Sequence, residues 1–344
     1  MKKLSKLTAL ALAAAMSLSL VACGGSSSSG SASSGTASSG AASSGSASSV
    51  EETVTYNVGI CQLMQHVALD DATQGFIDAL NEALPGQVKF NNQNASGEMT
   101  LCNTITNQFV AEEADLILAN ATPALQAAAA ATTEIPILGT SVTEYGVALG
   151  IDGFTGTVGG NISGTSDLAS LEAQAEMVKT WFPDVKTVAL LYCSSEANSQ
   201  YQVDVMKAEL EAMGYTCEYY SFSDSNDLAA VVEGAVAACD LIYVPTDNTV
   251  AANTEIIDNI CRPAQQPVIG GDGGICSGCT VATLCIEYYD LGYTTGKMAA
   301  KILTGESDIS AMPIEYAEAS SVYNVEICAD LGITPPEGYE PING

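Results

Sequence analysis

Residues 114–129 read ADLILANATPALQAAA, and residues 240–252 read DLIYVPTDNTVAA. Each has an acid at its first or second position, runs through a short apolar stretch, and turns on small polar residues. Each then continues into residues that favour a helix. A short apolar run bounded by turn residues is the pattern of a buried strand, and the alanines that follow extend a helix. The same strand–helix alternation extends outward from both segments. In the first half, strands are expected at Thr55–Leu63, Gln87–Asn94, Asp115–Ala119 and Ile135–Thr140. Helices are expected where Leu69, Ala72, Phe76, Leu80 and Ala83 recur, then at Met99–Ala111 and Pro123–Ala131. The second half repeats the order, with strands at Thr187–Cys193, Thr216–Phe222, Asp240–Val244 and Pro267–Gly270. Its helices are expected at Ser199–Met213, Asp227–Ala238 and Asn248–Ile260. Equivalent points lie a similar distance apart, 132 residues from Cys61 to Cys193 and 131 from Pro136 to Pro267. The fold class is therefore α/β, as two doubly wound, Rossmann-like lobes in tandem.

Ligands of open parallel sheets sit beyond the carboxyl ends of the strands, so the residues just after each strand matter most. In the first half these are His66 and the pair Thr122-Pro123, a good N-cap followed by a good first helical residue. Free N–H groups at that helix start favour an anion such as a carboxylate, although plain capping explains the same residues. In the second half they are Ser195, Asn198, Ser199, Asp247, Asn248 and Asp272. Asp247 and Asp272 stand at equivalent strand ends, where they either converge on a cation or simply cap helices. A carboxylate site facing a cation site describes a receptor for a zwitterion, and a free amino acid carries both charges. Arg262 is the single arginine, expected near a helix end, so backbone amides and hydroxyls must hold the carboxylate.

The charge is lopsided, with 40 acidic and 10 basic residues in 344. Lys2, Lys3 and Lys6 precede an apolar run from Leu7 to Ala22, too short for a membrane span but suited to a secretory signal. Without those lysines, 7 basic residues face 40 acidic ones, about −33 formally. So negative a field repels phosphate backbones and argues against a nucleic-acid partner. Leu20-Val21-Ala22-Cys23 resembles a bacterial lipobox. It implies a signal peptide at residues 1–22, cleavage before Cys23 and lipid on the Cys23 thiol. Every residue from Gly24 to Ser49 is Gly, Ser, Ala or Thr, so residues 23–53 read as a lipidated cysteine and a flexible tether.

Nine segments in order carry a family resemblance: MQHVALDDATQGFIDAL, NQNASGE, ADLILANATPALQAAA, IPILGTSVT, NISGTSD, LLYCSSEANS, DLIYVPTDNTVAA, GGDGG and YYDLGYTTGKMAAKIL. The chain resembles the substrate-binding lipoproteins of ABC transporters, in the group associated with tryptophan, tyrosine and related amino acids. The resemblance implies the type I periplasmic-binding-protein fold, two lobes joined by a hinge around a ligand cleft. It puts lobe 1 at residues 54–162 plus about 288–312, and lobe 2 at 163–287 plus about 313–344. Hinge crossings are implied near Asn161–Asp167, Ile286–Leu291 and Pro313–Tyr323. His66, Thr122, Ser195, Asn198, Ser199, Asp247, Asn248 and Asp272 are expected to face the cleft. Glu144-Tyr145 stands where relatives often carry Asp-Pro, so Tyr145 is expected to reshape the pocket. The implied partners are an amino acid, a membrane permease and, through the lipid, the extracytoplasmic face of the cell membrane. The protein is expected to be a monomer and not an enzyme.

Other readings remain open at this level. With His66 the single histidine, a multi-histidine metal site is excluded and a Ser-His-Asp hydrolase has one choice of base. Cys276-Ser-Gly-Cys279 is one CxxC without a second pair or a nearby histidine, a weak signal for metal or redox chemistry. The ten cysteines after Cys23 are expected mainly as buried thiols, since several sit in apolar runs, with some disulfides the alternative. No cofactor or metal is implied. A receptor-signalling role, or a sugar or nucleoside ligand, requires the same hinge and cleft. Trp181 precedes Phe182-Pro183 at an expected helix end, away from the strand ends, and reads as core rather than as a sugar platform.

Overall fold

A computed structural model of the chain describes residues 54–342. The expected signal peptide, Cys23 and the expected tether up to residue 53 lie outside the described residues. Strands of the first half are β1 (Tyr56–Gln62), β2 (Val88–Asn94), β3 (Leu116–Asn120), β4 (Ile137–Val142) and β5 (Ile162–Ser166). Those of the second half are β6 (Thr187–Cys193), β7 (Thr216–Phe222), β8 (Leu241–Val244), β9 (Val268–Gly270) and β10 (Ala282–Cys285). The chain then adds β11 (Glu315–Tyr316), β12 (Ser320–Asn324) and β13 (Glu340–Ile342).

Two sheets result, one per lobe. The first runs β2-β1-β3-β4-β5-β11 and is parallel throughout. The second runs β7-β6-β8-β9-β10-β12-β13, with β12 antiparallel to β10. Alternate residues of a central strand enter different cores. Val58 and Ile60 of β1 pack with Phe76 and Leu80, whereas Cys61 packs with Phe109 and Leu125. In β6, Val188 and Leu190 face one core and Ala189 and Leu191 the other. Strands buried on both faces need continuous apolar sequence, which is why these runs show no polar alternation. Trp181 is buried in the second lobe against Tyr323 and Tyr339.

Three segments cross between the lobes. Because β5 and β11 both belong to the first sheet, the crossings follow Ser166, Cys285 and Tyr316. Sheet pairing thus carries the first lobe past the boundaries expected at 162 and 312. The helix Tyr288–Leu303 returns to the first lobe and lies on the helix Val67–Ala83. Their backbones touch. A β-carbon on Gly292 would stand 1.9 Å from the Ala72 carbonyl oxygen, and one on Gly75 would stand 2.1 Å from that of Tyr289. Only glycine permits that approach.

The expected helix Asn248–Ile260 is two helices, Asn248–Ala251 and Thr254–Cys261. Val250 and Ile257 keep a helical spacing of seven across the break, so the apolar pattern looks continuous. All ten cysteines of the described residues are buried and unbridged. Those of β1 and the helix Met99–Ala111, Cys61 and Cys102, hydrogen-bond each other. Among the described residues no helix is long and apolar enough to cross a membrane.

Candidate functional site

The strand order sets the loops after β1 and β4 of one lobe opposite those after β6, β8 and β9 of the other. Between them lies a small, partly open cavity whose non-atom space, open solvent included, is about 270 Å³. From the first lobe it is lined by His66, Leu69, Ser141 and Thr143, and by Asp167 at the first crossing. The second lobe contributes Asn198, Thr246, Asp247, Asn248, Ala251 and Asp272, and the second crossing contributes Tyr288. Among the described residues, no lysine and no arginine lines it.

His66 occupies the N-cap position of the helix Val67–Ala83, yet its side chain makes no capping bond. The imidazole is instead turned across the cleft, with Nε2 3.3 Å from Asn248 Oδ1. Burial lowers its pKa, opposed by the Asn248 bond and by the charges of Glu196 and Asp70. The lobes are therefore drawn together in this structure.

Backbone strain collects at two neighbouring strand ends. Ala121, after β3, has φ 91° and ψ 158°, and Ser141, in β4, has φ 55°. Non-glycine residues in such conformations persist where the surroundings impose them, and they concentrate at functional sites. The Ser141 hydroxyl is buried with no partner. Asp167, directly after β5, accepts a hydrogen bond from the Tyr288 hydroxyl on Oδ2 at 2.9 Å. Its Oδ1 is buried and has no partner. Burial raises the Asp167 pKa, with the Tyr288 bond pulling the other way. A buried carboxylate oxygen with nothing to accept from is expensive, so its place on a cavity wall indicates a donor that arrives from outside.

The two acids of the second lobe are engaged differently. Asp247 caps the helix Asn248–Ala251, accepting from Val250 N at 2.9 Å, and its second oxygen accepts from Cys193 N at 2.7 Å. Asp272 caps the helix Gly273–Cys279 through Ile275 N at 2.8 Å. Burial pushes Asp272 up to about 7. Burial, then the charge of Glu196, pushes Asp247 up to about 8.

Of the eight residues expected at the cleft, His66, Asn198, Asp247, Asn248 and Asp272 line this cavity. The other three stand elsewhere. Thr122 is buried inside the first turn of the helix Thr122–Ala131, and the N-cap is Ala121, so the capping role expected of Thr122 is corrected. Ser199 is fully buried behind Asp247 and hydrogen-bonds it. Ser195 opens on a wider groove between the lobes that also includes Met64, Glu98 and Thr249. Tyr145 does not reach the cavity. Its ring fills the space above Gly139 and Gly164, and its hydroxyl donates to the Thr165 carbonyl at 3.0 Å. Sequence reasoning missed Ser141, Thr143, Asp167 and Tyr288. Asp167 follows ISGTS, a strand too short and polar for the strand-end rule to reach.

The comparisons with known proteins agree with this geometry. A family model described as ABC transporter substrate binding protein matches residues 57–339. The chain belongs to this family. It is a substrate-binding protein of an ABC transporter, with the type I periplasmic-binding-protein fold, and not an enzyme. A tyrosine-binding protein of Clostridioides difficile (strain R20291) is 35% identical over 267 residues, 76% of this chain and 77% of that one. A structure from Streptococcus pneumonia, described as an ABC domain in complex with L-Trp, is 32% identical with a TM-score of 0.78. That match covers 82% of this chain and 96% of the other. A ligand-free, open substrate-binding protein with adhesive properties from Clostridium difficile is 34% identical, covering 84% and 99%, with a TM-score of 0.65. This substrate-binding protein thus superposes better on the L-Trp complex than on the open form, in keeping with its closed cleft.

Proposed function

We propose that this substrate-binding protein captures a free amino acid, an aromatic one foremost, between its lobes and delivers it to an ABC permease. The observation that carries the reading is Asp167 Oδ1, buried, unpartnered and on the wall of a cavity without a cationic side chain. An α-ammonium group supplies the missing donors there. The free Ser141 hydroxyl on the same cavity wall offers a donor to the carboxylate at the other end of the zwitterion. The names of the relatives, tyrosine-binding and L-Trp-bound, favour tyrosine and tryptophan as the first ligands to test. Ligand bound to one lobe favours closure by the contacts it gains with the other, a population shift and not a chemical step.

Thermal melts of the full chain in detergent, with each amino acid and several sugars and nucleosides, test the ligand class. Ligand at 1,000 times its dissociation constant adds about 4 kcal/mol of stability. Tyrosine or tryptophan is expected to raise the melting temperature. A response to a sugar or nucleoside and to no amino acid overturns the reading.

The same proposal makes the protein an extracytoplasmic monomer held at the membrane by lipid on Cys23. Dual acylation at one site supplies the two-chain anchoring that a stable attachment needs. Cys23→Ser is expected to move the protein out of the membrane fraction of the cells that make it. Retention of the variant there contradicts the anchor.

A further inference from the structure

Glu196 stands out because its work is unexplained by the ligand site or by helix capping. It is buried, 4% exposed, in the turn after β6, and it does not line the cavity. One oxygen accepts from Asn248 N at 3.0 Å and from Asn248 Nδ2 at 2.7 Å. The other accepts from Thr249 N at 2.9 Å and Thr249 Oγ1 at 2.7 Å. The short helix Asn248–Ala251 already has its cap in Asp247. A second buried carboxylate at the same helix start, repelling the first, is more than capping requires.

What Glu196 adds is the orientation of one amide. Every neighbour donates to this carboxylate, so the side chain of Asn248 must present its nitrogen to Glu196. Its oxygen is thereby turned to the opposite lobe, where His66 Nε2 lies 3.3 Å away. An amide oxygen only accepts, so the imidazole meets it as a donor. We infer that Glu196 is a positioning residue for ligand capture: it fixes the Asn248 amide and so commits His66 to Nε2–H, forming the hydrogen bond that joins the closed lobes. The bond exists only when the lobes meet. It therefore adds to ligand affinity by favouring the closed population.

The inference rests on the cleft being the ligand site proposed above. His66 is the single histidine, so its two ring nitrogens give unassisted signals in a 15N-labelled chain. The charged and titratable groups around it are Asp70 on its own helix, Glu196 across the cleft, and Asp167, Asp247 and Asp272 on the cavity wall. Burial lowers the imidazole pKa, so spectra at pH 8 report the neutral ring.

Wild type saturated with L-tryptophan or L-tyrosine as probe is expected to show Nε2–H. In Glu196→Gln the new amide can keep its oxygen toward Thr249 and offer its nitrogen to Asn248. Asn248 then turns its own nitrogen toward His66, and the ring changes to Nδ1–H. A residue that merely supported the helix would not move that signal. Asn248→Ala removes the cross-lobe bond and leaves Glu196 in place. It is expected to weaken probe binding about tenfold, the worth of one hydrogen bond. Its imidazole pKa in the bound state should fall further below the ordinary value, because the Asn248 bond opposes the lowering by burial. The same tautomer in probe-saturated wild type and Glu196→Gln overturns the inference. So does unchanged probe affinity in Asn248→Ala, which also serves if Glu196→Gln fails to fold. If wild type binds neither amino acid, the proposed function fails and the inference that rests on it falls with it; binding with an unchanged tautomer in Glu196→Gln fails the inference alone.

Discussion

Asp167→Asn should weaken the binding of tyrosine or tryptophan by about 10²- to 10³-fold, measured by isothermal titration. The substitution barely changes shape. The asparagine oxygen can still accept from the Tyr288 hydroxyl, which now holds Asp167 Oδ2 at 2.9 Å. The other position changes from a free acceptor to an N–H₂ donor, and it meets the ligand ammonium as donor against donor. Removing one partner of a buried, hydrogen-bonded charge pair costs about 2–5 kcal/mol, because the remaining charge stays buried and unpaired. The free protein should not lose stability, since a buried charge without a partner is replaced by a neutral group.

The pH dependence carries the same signature. Ammonium binding requires the carboxylate form, and burial raises the Asp167 pKa above that of an ordinary aspartate. Wild-type affinity is therefore expected to fall as the pH is lowered, starting at a higher pH than an exposed carboxylate would dictate. The Asn variant should lack that fall. Affinity within threefold of wild type would remove Asp167 from the ammonium site.

Why this residue escaped sequence reasoning is instructive about the rest. The strand–helix order is legible because strands buried on both faces must be apolar throughout. Thr55–Leu63 and Thr187–Cys193 accordingly match β1 and β6 within a residue or two. Ile162–Ser166 is also a strand, but ISGTS is short and polar. Its hydroxyls are satisfied by tertiary partners, such as Thr295 for Thr165 and the Met312 carbonyl for Ser163. No local pattern reports those bonds. With the strand unseen, the acid at its end goes unnoticed. Ser141 hides for another reason, since its positive φ comes from the register shift between β4 and β5 and not from its own sequence. The acids that do stand out, Asp247 and Asp272, each lie three residues before an apolar residue whose N–H they cap. That spacing is as much a capping signal as a ligand signal. Position after a strand locates the cleft, and it does not say which acid is free.

Asp247→Ala separates those two meanings, and the larger effect should fall on stability. Asp247 ties the end of β6 to the helix Asn248–Ala251 through Cys193 N and Val250 N, and Ser199 supports it from behind. Truncation strands two buried N–H groups at about 1–3 kcal/mol each. Relief of the repulsion from Glu196 returns part of that, so a net loss of about 2–4 kcal/mol is expected in urea unfolding. The folded-state pKa of Asp247, about 8, lies above the ordinary aspartate value of 3.8. Between those values the folded protein binds more protons here than the unfolded chain does. The stability owed to this group is then full below the unfolded value and is lost as the pH rises toward 8. The deficit of the Ala variant should therefore be widest below about pH 4 and narrow toward pH 8. Ligand affinity, measured well below the melting temperature, should fall by less than about tenfold, because both oxygens of Asp247 are already engaged by the protein. An affinity loss as large as that of Asp167→Asn, with little loss of stability, would return Asp247 to the ammonium site. The opposite pair of results leaves Asp247 holding the wall of the cavity in place and Asp167 facing the ligand.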